Sequence, residues 1–128
     1  MRKIWILTLL ALLALLAFPA SAICQDPTVH HIVLFDLKDD VTEAQMNDMI
    51  SKGEELLAQI PGVLDVSIGY LAREDRAVHI KDYDLAMYVL WENNGVGDVY
   101  APHEHHQAYL AQFKPLVERI QVIDFFGN

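Results

Sequence analysis

Val29-His30-His31-Ile32-Val33-Leu34-Phe35-Asp36-Leu37 is dominated by β-branched, aliphatic and aromatic side chains, the composition of a β-strand. Alternation puts Val29, His31, Val33, Phe35 and Leu37 on one face and His30, Ile32, Leu34 and Asp36 on the other. Both faces carry apolar residues. A strand with one side in water is therefore excluded, and each side needs a cover.

Downstream, Thr42-Glu43-Ala44-Gln45 fits a capping box, in which Thr and Gln reciprocally satisfy the free backbone N–H groups of a helix start. Met46, Met49, Ile50, Gly53, Leu57 and Ile60 follow at helical spacing until Pro61-Gly62 stops the helix. Val63 to Leu71 reads as a second strand, with Leu64, Val66, Ile68 and Tyr70 on one face. Ala72 to Asp82 is a charged connection, and Tyr83 to Trp91 a third strand in which Leu85, Met87, Val89 and Trp91 alternate with Asp84, Ala86, Tyr88 and Leu90. After the turn signal Asn93-Asn94-Gly95, the pattern from Val96 to Glu118 is helical, with Pro102 and Pro115 placed to break or bend it. Ile120 to Phe126 closes the chain as a fourth strand.

The order βαβ–βαβ within roughly 100 residues predicts a ferredoxin-like α+β sandwich, an antiparallel four-stranded sheet with its helices on one face. Helices on one side leave the other apolar side of the first and third strands uncovered. Patches of that kind mark association, and a homodimer packing sheet on sheet into a dimeric α/β barrel would cover them.

Upstream of the first strand lies a segment of a different nature. Met1-Arg2-Lys3 is basic, Ile4 to Phe18 is apolar except for Thr8, and Ala20-Ser21-Ala22 offers small residues to a signal peptidase. Residues 1–22 thus read as a secretory signal peptide, too short in its apolar run for a stable membrane anchor. Residues 23–28 form a short N-terminal segment ahead of a domain at 29–126. The expected location is periplasmic or secreted. Lipidation at Cys24 is not expected, because bulky Ile23 stands where a small residue normally precedes a lipidated cysteine. A single cysteine also excludes an internal disulfide.

The chain has 128 residues, 18 acids against nine Lys and Arg, and a net charge of −9. Removal of 22 residues leaves 106; the leader takes two cations and no acid, so the remainder carries −11. That balance argues against a nucleic-acid partner and against docking on anionic lipid. The length excludes a second, cofactor-binding domain.

Chemistry concentrates in Tyr100-Ala101-Pro102-His103-Glu104-His105-His106-Gln107-Ala108-Tyr109. On a helix, His106 aligns with the apolar stripe of Tyr109, Leu110, Phe113 and Val117, and His103 stands one turn earlier at its rim. His31 faces inward from the first strand. Converging imidazoles beside Tyr100 describe an apolar pocket with a polar end. Metal binding is the competing reading: His103 and His106, with His31 as a distant third ligand, could hold zinc or copper. No Cys ligand and no His-Glu-x-x-His pattern supports it, so neither metal nor cofactor is expected. His30, His79 and His105 read as solvated surface residues. No nucleophile elbow surrounds Ser51 or Ser67, and there is no Gly-rich phosphate loop.

His31-Ile-Val-Leu-Phe, Thr42-Glu-Ala-Gln, Ile60-Pro-Gly-Val63, Tyr100-x-x-His103-x-x-His106-Gln-Ala-Tyr109, Phe113-Lys-Pro-Leu116 and Val122-Ile-Asp-Phe125 together resemble the stress-responsive dimeric A/B barrel family, over about Val29 to Phe126. The resemblance implies a ferredoxin-like subunit that dimerises into a barrel. Most proteins of that family have no assigned activity, while its plant polyketide cyclases catalyse an intramolecular aldol condensation between sheet and helices. By the resemblance, His106 and Tyr100 match the catalytic His and Tyr, and His31 and His103 match other pocket positions. This chain departs from the cyclases at Leu85, where they carry another pocket His, and at Glu104, where a His-Pro step is common.

Three readings follow. The leading one is an exported homodimer holding a small hydrophobic or aromatic molecule in a pocket of His31, His103, Tyr109 and Phe113, ended by His106 and Tyr100. The second is a cofactor-independent cyclase- or lyase-like enzyme with His106 as general acid/base. The third is a stress-related interaction protein whose histidines are structural.

Overall fold

A computed structural model describes residues 25–127. The leader at 1–22 and Cys24 lie outside the described residues. Four strands and three helices follow in the order β1 (Val29–Leu37), α1 (Glu43–Leu57), β2 (Val63–Tyr70), β3 (Leu85–Trp91), α2 (Val96–Tyr100), α3 (Glu104–Phe113) and β4 (Val117–Phe126), with a 3₁₀ turn at Lys114–Leu116 before β4. The strands form one antiparallel sheet in the order β2-β3-β1-β4. This is the ferredoxin-like α+β fold.

β1 is central because its residues suit burial on both sides. It pairs with β3 from Val29 opposite Trp91 to Phe35 opposite Leu85, and with β4 from Val29 opposite Phe126 to Leu37 opposite Val117. α1 starts where the capping box places it: the Gln45 amide donates to Thr42 Oγ1, and the Thr42 amide donates to Gln45 Oε1. Its buried residues, Met49, Gly53 and Leu57, are the predicted stripe. Gly62 then turns the chain into β2 at φ +85°, a left-handed conformation in which a Cβ would also run into Val96.

The core lies between the helices and one sheet face, formed by Val33, Phe35, Leu85, Met87 and Val89 against Met49, Leu57, Tyr109 and Phe113. The opposite sheet face has no cover among the described residues. It presents Ile32, Leu34, Tyr88, Ile123 and Phe125, the last two about half exposed at 48% each.

Two sequence expectations are corrected. Leu64 does not share a core face with Val66 and Ile68; a bulge between Val63 and Asp65 throws it into solvent, 56% exposed. Tyr70 is also exposed, its hydroxyl donating to Asn47 Oδ1 of α1. The helical pattern does not reach Glu118 either. Pro115 sits in the 3₁₀ turn after α3, and Val117 pairs with Leu37 as the first residue of β4.

Candidate functional site

The helical stretch breaks where Pro102 demands, and the break builds the site. α2 ends on Tyr100, His103 caps α3, and His106 occupies the first turn of α3. A cavity of about 260 Å³ lies between these helices and the sheet. Its polar end is made by His31 from β1, Trp91 from the end of β3, Tyr100 and His106. Val33, Phe35 and Met87 line its apolar part, with Ile120 and Val122 from the edge strand β4.

The rings at the polar end form a continuous cluster. His31 stacks on Trp91 at 4.6 Å between centroids and 19° between planes, and Tyr100 lies 5.2 Å from Trp91 and 4.6 Å from His106. His106 Nδ1 stands 2.9 Å from the Ala101 carbonyl oxygen. A carbonyl only accepts, so Nδ1 carries the proton and Nε2 of the neutral ring keeps a lone pair. Burial lowers the His106 pKa below the ordinary histidine value; the Ala101 bond opposes this and nearby His31 reinforces it. At neutral pH the ring is an uncharged base. Burial, with Tyr109 nearby, pushes the Tyr100 phenol well above its ordinary range, so it remains a protonated donor. Its hydroxyl has no hydrogen-bond partner.

His31 is oriented from behind. Its Nδ1 is 2.6 Å from Asp124 Oδ1 on β4, which the β1–β4 register sets directly opposite. A carboxylate accepts here, so Nδ1 is the donor and the pair fixes the ring's orientation.

Of the sequence candidates, the fold brings His31, Tyr100, His106 and Tyr109 to this cavity. His103 and Phe113 are not part of its wall. The His103 Nδ1 accepts from the His105 amide at 3.2 Å, a capping bond that holds the ring at the helix start. Phe113 instead lines an adjoining apolar cavity of about 250 Å³ with Met49, Lys114 and Val117; Phe35, Tyr109, Leu110 and Ile120 border both spaces. Leu85 is fully buried in the core, and Glu104 is exposed in the first turn of α3.

The three histidines read as solvated are each engaged. His30 bonds the Tyr88 hydroxyl at 2.9 Å and stacks on Phe125 on the uncovered sheet face. His79 accepts from the Arg76 amide, and His105 packs edge-on against His103 at 5.1 Å. Among the described residues no group of three or more His, Cys, Asp or Glu could hold a metal ion, so His31, His103 and His106 do not assemble as a ligand set.

Asp124 and Trp91 were missed as site residues. Trp91 shares one face of its strand with Leu85, Met87 and Val89 by alternation, and alternation does not separate a cavity wall from a packed core. Asp124 becomes a site residue only through the pairing of β1 with β4.

The family model described as Stress responsive A/B Barrel Domain matches residues 29–126. Among solved structures, a dimeric ferredoxin-like protein of unknown function from Thermobifida fusca is similar, with 26% identity, 80% of this chain and 93% of that chain covered, and a TM-score of 0.68. A Dabb family protein with a ferredoxin-like fold from Mesorhizobium loti shares 19% identity over 80% and 99% of the two chains, with a TM-score of 0.67. A hydroxynitrile lyase from Passiflora edulis shares 20% identity over 80% and 94%, with a TM-score of 0.67. No curated protein sequence matches the chain.

Proposed function

Because the chain belongs to the stress-responsive A/B barrel domain family, we propose that it is an exported homodimer that binds a small hydrophobic or aromatic molecule in the cavity ended by His31, Tyr100 and His106. The carrying observation is the Tyr100 hydroxyl, buried without a partner at the polar end of an otherwise apolar cavity. Such a group is complementary to a ligand with one polar end. Ile123 and Phe125 on the uncovered sheet face support dimerisation, as does the dimeric Thermobifida fusca protein. The basic start, apolar run and Ala-Ser-Ala of residues 1–22 support export to the periplasm or beyond.

The tautomer of His106 favours a second reading on the same site. With Nδ1–H held by Ala101, Nε2 is free to take a proton from carbon next to a carbonyl, while Tyr100 donates to the enolate oxygen that develops. This is cofactor-independent cyclase- or lyase-like chemistry, and the Passiflora edulis enzyme has a fold of the same kind.

Thermal shift against a panel of aromatic acids and quinones tests both. A ligand at 100 times its Kd adds about 2.7 kcal/mol to the native state. That stabilisation is expected in the wild type and is lost in His106→Ala. If no compound stabilises the wild type and His106→Ala merely lowers Tm, the histidines are structural and both readings fall.

A further inference from the structure

Among the described residues, four buried side-chain polar atoms lack a hydrogen-bond partner: Trp91 Nε1, Tyr100 Oη, His105 Nδ1 and Tyr109 Oη. They differ in position. The phenol end of Tyr109 is turned against Gly53 of α1, and His105 lies outside the cavity wall. Trp91 and Tyr100 are neighbouring rings of the polar end, 5.2 Å apart.

Buried indole N–H groups usually find an acceptor, and leaving one unpaired is unfavourable. Packing explains only part of the choice of residue: the six-membered ring of the indole lies against Gly97. Phenylalanine would also present an aromatic face to His31 and would strand no donor. The neighbouring imidazoles do not remove the problem: the Nδ1 atoms of His31 and His106 donate to Asp124 and Ala101, and neither the indole nor the phenol reaches an Nε2 lone pair. This end of the cavity is therefore bordered by two residues with neutral, unpaired donors, set among aromatic faces and beside the unshared Nε2 of His106.

Resting on the pocket reading above, we propose that Trp91 is a specificity-determining residue whose indole N–H, together with the Tyr100 hydroxyl, selects aromatic ligands carrying a carbonyl-type oxygen. Such an oxygen accepts without bringing a proton of its own, which suits a site with donors to satisfy. A hydrocarbon of the same shape leaves both donors stranded, and sites built to bond a polar group discriminate strongly against analogues that lack it.

Acetophenone and cumene are a matched pair for the test, a carbonyl in one replacing a CH–CH₃ in the other. Their affinities are measured on the full chain, wild type and Trp91→Phe, by displacement of a fluorescent apolar probe. The wild type is expected to prefer acetophenone about tenfold, the scale of one or two net hydrogen bonds. Trp91→Phe should lose most of that preference, the ratio of the two affinities falling toward one. The indole ¹⁵N–¹H resonance, assigned by its loss in Trp91→Phe, should move downfield with acetophenone and much less with cumene. That second measurement is read on the wild type, and Trp5→Phe, which removes the other indole, supplies the assignment if Trp91→Phe folds poorly. A preference that survives Trp91→Phe, or an indole resonance unmoved by bound acetophenone, overturns the role of Trp91 and leaves the pocket intact. Failure of both compounds to bind the wild type overturns the pocket and Trp91 together.

Discussion

Tyr100→Phe separates a residue kept for a ligand from one kept for the fold. Tyr100 is 3% exposed, and its hydroxyl donates to nothing. In mutational data an unbonded buried hydroxyl costs about 1–3 kcal/mol relative to water. Deleting the oxygen removes that cost and forfeits a few dispersion contacts of about 0.1–0.2 kcal/mol each. The ring contacts with Trp91, His31 and His106 survive unchanged. The native state should gain about 1 kcal/mol, which for a domain near 100 residues raises Tm by about 4–8 °C. Thermal unfolding at matched protomer concentration measures this, since an oligomer's Tm moves with concentration. The same variant should lose most of the ligand-induced Tm shift, making it more stable and less functional. A loss of 1 kcal/mol or more in Tyr100→Phe would show that the hydroxyl is structurally bonded, and the argument from its isolation would collapse.

Two further predictions concern the sheet and the histidine. Phe125→Asp puts a carboxylate on the uncovered face, on edge strand β4 where Phe125 is 48% exposed in the single subunit, and should convert a dimer to a monomer in sedimentation equilibrium; an unchanged mass would place the interface elsewhere. For His106, the folded-state pKa lies below the unfolded value of about 6.5. The unfolded chain therefore binds the proton first as pH falls. The associated stability is fully present above about 6.5, declines as pH drops toward the folded-state pKa, and levels off beneath it. Urea unfolding between pH 8 and 5 should show this slope in the wild type and not in His106→Gln, and a slope of opposite sign would contradict the buried neutral ring.

The elements read correctly from sequence are those specified by neighbours along the chain. The Thr42–Gln45 box and the Met46 to Ile60 stripe are local patterns, and α1 starts where the box places it and ends at Leu57, three residues short of the stripe's last member. The misreadings come from long-range pairing. Val117 continues the helical stripe from Phe113 by spacing alone, yet Leu37 captures it into β4 after Pro115 tightens the turn. Leu64 fits a period of two until one extra residue in the ladder reverses the phase.

The site divides along the same line. His106 and Tyr100 were visible because a helix start and a proline break set their spacing within a few residues. Asp124 lies 93 positions from His31 and reaches it only through the strand register, which no local pattern encodes. His103 shows the converse: its spacing to His106 suggested a second pocket ligand, but an extended residue before a helix uses its side chain to satisfy a free amide first. Trp91 is subtler still. Its burial follows from alternation, while its significance follows from the absence of a bond, and an unmade bond leaves no pattern in a sequence. What distinguishes this cavity from ordinary core is therefore the set of polar groups that the fold surrounds and leaves unsatisfied, and only a ligand or water able to accept from them can complete it.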